Sequence, residues 1–369
     1  MKYIFKKKWK RSAAGIVDAA GKFIFFFRNF FRKKPSKVEK ILVLRLDQMG
    51  DIIQTLPFFE KIKQKYPLAK ITALVVEGNE FLLKGKADNV LTLPGSWFYS
   101  EKKLKGAALK DMVEKIYKEK YDIAYDLRGD IRNIVFMFFC GIKWNIGYAN
   151  GGGGFLLDES IKYDRDMHEI AKNLNFIRET PAPEIYMNFE TTKESVVKIS
   201  GIIAQNKKTM VMHPFTRATS KMWGMVKYTE LIKRIAEYNR EMQIYIIGSK
   251  EDRELLPYIF GAQVHNMAGE LTLDESIELI KKSSVFIGND SGPQYFAAYS
   301  GVRACVIYGY TVNNKRWKPL VEKDRFIAFS KPVECGPCES AICVNKDKKH
   351  ICMDIITVEE VFNAVKHWL

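Results

Sequence analysis

From residue 39 onward the chain alternates short β-branched runs with stretches of helical periodicity, in two blocks separated by a proline-bearing break. This rhythm constrains the fold more than any other feature. Strands separated by helices pair in parallel, and a parallel sheet needs cover on both faces. In the first block residues 41–46 (ILVLRL) read as a buried strand, 47–50 as a turn, and the next stretch as a helix to about residue 66. A strand at 71–76, a helix at 107–119, a strand at 122–127 and a helix at 131–139 follow, then a glycine loop at 151–154. A helix from 168 to about 178 meets Pro181 and Pro183, the expected boundary between two lobes. The second block repeats the theme, with strands at 210–213, 243–248, 285–289 and 305–308 and helices at 226–238, 251–260, 273–283 and 292–299. At 369 residues the chain is long for a single core. The expectation is an α/β protein of two Rossmann-like lobes, 35–182 and 183–369, whose parallel sheets face a central cleft and present binding residues at strand C-termini.

Residues 1–34 stand apart. They carry eleven lysines and arginines against Asp18 alone, so they hold most of the chain's net charge of +16. Ile16, Ala20, Phe23, Phe27 and Phe30 recur at helical spacing, widened by Ile24, Phe26 and Phe31. A basic helix with an aromatic stripe has the composition of an interfacial membrane helix. Lys22, Arg28 and Asn29 interrupt the apolar run that a secretory signal needs, and a nucleic-acid tail has no use for six phenylalanines in nine residues. The segment is therefore expected to attach to a membrane surface, with no nucleic-acid partner, and no apolar run approaches the ~20 residues of a spanning helix.

Three polar turns follow strands. Asp47-Gln48-Met49-Gly50-Asp51 closes the first strand; Asp51 at the helix start either caps the backbone or projects toward a ligand. His213-Pro214-Phe215-Thr216-Arg217-Ala218-Thr219-Ser220-Lys221 gathers hydroxyls and two cations before a helix, a combination suited to a diphosphate. Asn289-Asp290-Ser291-Gly292-Pro293 again joins strand to helix, with Gly292 leaving amides accessible. Walker, GxGxxG, HExxH and Ser-His-Asp patterns are absent. Of six cysteines, Cys140 and Cys305 lie in apolar runs. Cys335, Cys338, Cys343 and Cys352 fall together, and read either as a four-thiolate structural zinc (or other metal) site or as a reduced clamp.

Taken together, LRLDQMGDIIQTLPFFEKIKQKYP, YDLRGDIRN, HPFTRATSKMW and IGNDSGPQYFAAYSGVRACVIYG resemble glycosyltransferase family 9, the ADP-heptose:lipopolysaccharide heptosyltransferases, over about residues 39–369. The cysteine cluster resembles that of the second-heptose branch. The resemblance implies a GT-B fold with an acceptor lobe and a nucleotide-sugar lobe, inversion at the anomeric carbon, and no metal cofactor in catalysis. Carried over by position, Asp51 is the general base. Thr216 and Lys221 hold the diphosphate, Asp290 the sugar hydroxyls, Ser291 and Gly292 the phosphate-facing amides, and Glu251 and Leu271 the ribose and adenine. Gln54, Arg128 and Arg132 are acceptor-side candidates. Gln54 and Tyr295 occupy places where the family usually has histidine, and neither titrates near neutrality. The implied partners are an ADP-sugar donor and an anionic glycolipid acceptor, at the cytoplasmic face of a bacterial inner membrane. A nucleotide-sugar epimerase or hydrolase of the same fold, or a catalytically silent glycan-binding protein, are the alternatives.

Overall fold

The computed structural model describes residues 3, 8–95, 106–204, 206–255 and 261–369. The chain divides into two compact units, residues 1–181 and 182–369. Each is built on a six-stranded, all-parallel sheet.

The first sheet contains β1 (Lys40–Arg45), β2 (Lys70–Val76), β3 (Asn89–Leu93), β4 (Ile123–Asp126), β5 (Trp144–Tyr148) and β6 (Glu159–Ile161), in the order β3-β2-β1-β4-β5-β6. Strand side chains alternate between faces, and both faces are buried. Leu42 and Leu44 share a cluster with Ala124, Ile134 and Met137 on one side. On the other, Tyr125 meets Phe58 and Phe176 edge to face. Burying each such side chain contributes about 1.5–3 kcal/mol, which is why this run of ILVL cannot sit at a surface.

The second sheet contains β7 (Thr209–His213), β8 (Gln243–Ile246), β9 (Val264–Asn266), β10 (Val285–Asn289), β11 (Arg303–Ile307) and β12 (Phe326–Phe329), in the order β12-β11-β10-β7-β8-β9. Met210, Met212, Ile244, Ile287 and Cys305 meet the helix Met225–Tyr238 through Leu231 and Ile235, and the helix Val358–Val365 through Val361. Within each lobe the first and fourth strands lie side by side, β1 with β4 and β7 with β10. The sheet grows in opposite directions from that pair, so the turns leaving its C-terminal ends diverge and open a crevice.

The sequence reading fails at two places in this frame. The expected single helix after β1 is two, α3 (Met49–Ile53) and α4 (Leu56–Lys65). Pro57 has no N–H for the Ile53 carbonyl, and the Thr55 hydroxyl bonds instead to the Asp51 carbonyl at 2.8 Å. The expected helix at 251–260 is described only over Lys250–Arg253, residues 256–260 lying outside the described residues.

The N-terminal segment is part of the first unit. It forms α1 (Lys8–Ile24) and α2 (Phe26–Phe31) and packs through Asp18, Gly21, Phe25, Arg28 and Arg32, spaced three or four residues apart. Asp18 is buried, accepting from the Tyr3 hydroxyl at 2.7 Å and the Gly153 amide at 2.8 Å. Gly21 sits against the Phe155 ring, and Phe25 lies 5.6 Å from Phe138 and Phe155. Arg32 reaches the buried Asp158 at 2.9 Å and Arg28 at 3.8 Å. No helix among the described residues is long and apolar enough to cross a membrane.

Candidate functional site

In the second lobe the turns after β7 and β10 are tied together at the crevice. Buried Asn289 donates to the Pro214 carbonyl at 2.6 Å and accepts from the Tyr228 hydroxyl at 3.1 Å. Above it Lys221 Nζ lies 2.5 Å from Asp290 Oδ2. The other Asp290 oxygen accepts from Gln294 Nε2 at 2.7 Å, and Gln294 accepts from the Tyr308 hydroxyl. Ser291 Oγ stands 3.1 Å from His213 Nδ1. Burial pulls that imidazole down to about 4, so it is neutral across the working range, and the Ser291 hydroxyl donates to the Asn289 carbonyl at 3.2 Å.

Lys221 ends the short 3-10 turn Thr219–Lys221. Ser220 anchors this turn through its amide to the Ala341 carbonyl at 3.1 Å and its hydroxyl to the Ser340 carbonyl at 2.5 Å. Thr216 Oγ1 accepts from the Ala218 amide at 3.3 Å, which fixes the loop between them. Ser291 and Gly292 lead into the helix Pro293–Tyr299. Glu251 is exposed on the short helix after β8, its carboxyl held below the usual range first by its own backbone amide. Leu271, half-buried, lies in the turn after β9. Because the strands run β10-β7-β8-β9, these four turns line one sheet edge in that order.

The first lobe repeats the arrangement with charged groups. Asp51 lies in the first turn of α3, its Oδ1 3.4 Å from the Arg45 guanidinium. Arg45 also donates to the Leu127 carbonyl at 2.8 Å, crossing from the end of β1 to the end of β4, and pairs with buried Asp47 at 3.3 Å. Arg128 closes on Asp47 from the β4 side. Burial, and then the charge of Arg45, bring the Arg128 guanidinium down to about 10. Asp126 beneath the turn accepts from the amides of Arg128 and Gly129 and from Asn133, yet its complete burial pushes it up to about 6. Asp51 and Arg128 thus share one cluster. Arg132 instead folds back on Asp130 at 2.8 Å, and Gln54 is fully buried in this arrangement, its carbonyl bonded by Asn173 at 2.9 Å. Tyr295 is likewise buried, its hydroxyl on the Trp317 carbonyl at 3.1 Å.

Arg45, Asp47, His213 and Gln294 lie in the stretches quoted from the sequence but were given no role there. A lone arginine inside ILVLRL was the available signal, since a charge there demands a buried partner.

The sequence leaves two readings of the cysteine cluster open, a structural metal site and a reduced clamp. No group of three or more His, Cys, Asp or Glu side chains among the described residues is arranged to hold a metal ion. Cys335, Cys338, Cys343 and Cys352 feel one another's charge but do not form a ligand shell. Cys352 is turned into the core beside Gly309, whereas the other three are half-exposed and Cys343 Sγ takes the His350 amide at 3.2 Å. What this segment does in the structure is brace the Lys221 turn, through Ser340 and Ala341.

The family model of glycosyltransferase family 9 (heptosyltransferase) matches residues 110–349. The lipopolysaccharide core heptosyltransferase OpsX of Haemophilus influenzae is 21% identical over 342 residues, covering 89% of this chain and 96% of that protein. The structure of E. coli ADP-heptose lps heptosyltransferase II superposes with a TM-score of 0.70 at 18% identity, covering 89% and 98% of the two chains. That of E. coli heptosyltransferase WaaC with ADP-2-deoxy-2-fluoro heptose gives 0.62 at 14% identity, over 89% and 99%.

Proposed function

The chain belongs to glycosyltransferase family 9, and from that premise we propose an inverting transferase that moves heptose from ADP-heptose onto an anionic glycolipid of the lipopolysaccharide-core type. The acceptor would lie at the inner leaflet of a bacterial inner membrane. The observation that carries this reading is the Lys221–Asp290 pair at the β7/β10 crevice, at 2.5 Å. A cation and a carboxylate held side by side suit a ligand with a diphosphate next to sugar hydroxyls. The structure of E. coli heptosyltransferase WaaC with ADP-2-deoxy-2-fluoro heptose supports the donor.

In the proposed reaction Asp51 accepts the proton of the attacking acceptor hydroxyl, and Arg45 beside it orients the carboxylate. As the anomeric bond to ADP breaks, negative charge grows on the leaving diphosphate. Lys221, released from Asp290, and the amides of Ser291 and Gly292 stabilise that charge. Asp290 then accepts from the sugar hydroxyls. Thr216 adds a hydroxyl to the phosphate, and Glu251 and Leu271 border the adenosine. Arg128 supplies positive charge toward an anionic acceptor, and Arg132 does so on leaving Asp130. Fixed protein cations do here what a divalent ion does elsewhere, so chelation with EDTA is expected to leave the transfer rate unchanged. A rate that collapses with EDTA and returns with added Mg²⁺ would contradict this.

Asp51→Asn tests the assignment directly. Loss of an essential general base lowers turnover by roughly a hundredfold or more, while calorimetric binding of ADP-heptose should match the parent protein. Undiminished transfer by the variant removes Asp51 from this role. A parent protein that binds UDP- or GDP-sugars in preference to ADP-heptose would overturn the donor.

A further inference from the structure

The N-terminal helices carry two stripes at the same three-four spacing, and they face opposite ways. One stripe docks on the first lobe through a buried carboxylate, a glycine, a ring and two arginines, as described above. The other holds Ile16, Phe23, Phe27 and Phe30, flanked by Ile24, Phe26 and Phe31, and it faces outward. Phe23 is 86% exposed, Phe27 and Phe30 71%, and Phe31 72%. A helix on a soluble body normally buries its apolar face and exposes its charges. Here Asp18, Arg28 and Arg32 are on the docked side and the phenylalanines on the free side.

That inversion is fixed by bonds rather than by chance packing. Asp18 takes the Gly153 amide, so the middle of α1 lies over the loop following β5. Arg32 donates to the Ile142 and Lys143 carbonyls and pairs with Asp158, so α2 lies at the opposite edge of the same sheet. Asp158 is buried and its carboxyl is pushed up by that burial, with the arginines drawing it back. Arg28 also lies over the Phe138 ring at 5.3 Å. The helices cannot roll to bury their phenylalanines without breaking these contacts.

We propose that α1 and α2 form a rigid blade of the first lobe that inserts its aromatic edge into the surface of an anionic lipid bilayer. Two observations select this occupant. The free face is a contiguous aromatic strip, with Phe26 stacked on Phe30 at 6.2 Å and Phe27 and Phe31 edge-on to their neighbours. Exposed Lys8, Lys10 and Lys22 lie on α1, and exposed Lys33 and Lys34 follow α2, Lys34 within 3.6 Å of Glu159; this charge is complementary to anionic headgroups and repelled by a second copy of this basic chain. The N-terminal half of α1 lies beside the turn after β4, where Trp9, Ala13, Val17 and Ile131 line an open apolar groove. The docking itself rests on no assignment of donor or acceptor.

The test is co-sedimentation of the full chain, without donor, with vesicles of phosphatidylglycerol and phosphatidylcholine or of phosphatidylcholine alone. The parent protein should bind the anionic vesicles and release as salt rises. Replacing Phe26, Phe27, Phe30 and Phe31 by Ser leaves the docked stripe intact and should weaken binding by roughly a hundredfold or more. Changing Lys22, Lys33 and Lys34 to Gln, chosen to keep the aromatic strip, should weaken it by roughly fivefold per charge. Unaltered thermal unfolding of both variants establishes that the lobe is intact. Vesicle binding equal to the parent by the Ser variant overturns the proposal. So does a parent that ignores vesicles and sediments as a dimer which the Ser variant dissociates, since the face is then the seat of a second copy.

Discussion

Lys221 and Asp290 are in contact, so the effects of removing them should not add. Lys221→Ala alone leaves the Asp290 carboxylate facing the phosphates unneutralised and should weaken ADP binding by roughly tenfold or more. In the double variant with Asp290→Asn that repulsion is gone, and calorimetry should recover part of the loss. His213 gives a second prediction, with a definite sign. Its folded value of about 4 lies below the unfolded value near 6.5, so between these the unfolded chain takes up a proton that the folded chain refuses. The contribution to stability is therefore constant above pH 6.5 and falls, by about 3 kcal/mol, as the pH drops toward 4. Denaturant unfolding of His213→Gln should lack this component. Residue-scale chemistry was only partly legible. Asp51, Lys221 and Asp290 announced themselves as polar residues at strand ends. Their partners Arg45 and Gln294 did not, nor did the pairing of Asp47 with Arg128, because a charge is recognised by what opposes it, and Arg128 lies 81 positions from Asp47.

Elements were readable in proportion to their burial. The strand β10 and the helix Ile131–Phe139 have the bounds that the sequence suggested, since both are apolar runs closed by a turn signal. The strands β3, β5, β6, β9 and β12 were missed. They are short; β3, β5, β6 and β9 carry Asn, Trp, Glu or His at positions that a lone apolar pattern does not mark, and β12 is only the four residues FIAF. The helix α1 was legible as a helix but not in its docking, because the stripe that docks is the polar one. Gly21 is where that docking is tightest, since an added β-carbon would stand 2.4 Å from the Phe155 ring. Gly21→Val should therefore lift the helix and cost about 1–3 kcal/mol in unfolding free energy. Arg32→Ala should cost about 3 kcal/mol, by leaving Asp158 buried with weakened compensation. Both are read by chemical denaturation. For the same reason, removal of residues 1–34 is expected to destabilise the first lobe rather than trim a free tail.

For the molecule as a whole, the junction between the units is exposed from Arg178 to Thr180 and from Ala182 to Glu184. A protease specific for glutamate should nick at Glu179 or Glu184 first, yielding two fragments of nearly equal mass, as read by mass spectrometry. The two-lobe architecture was the most legible feature of all, because the alternation that encodes a parallel sheet recurs along hundreds of residues and tolerates several missed strands. The docking of α1 and α2 on Phe138, Phe155 and Asp158 bears on how the chain is made. These helices are synthesised more than a hundred positions before the seat that receives them, on the order of ten seconds at ordinary speeds of synthesis. Throughout that interval both sides of the segment are bare, and whatever shelters it first decides where the nascent protein begins its life.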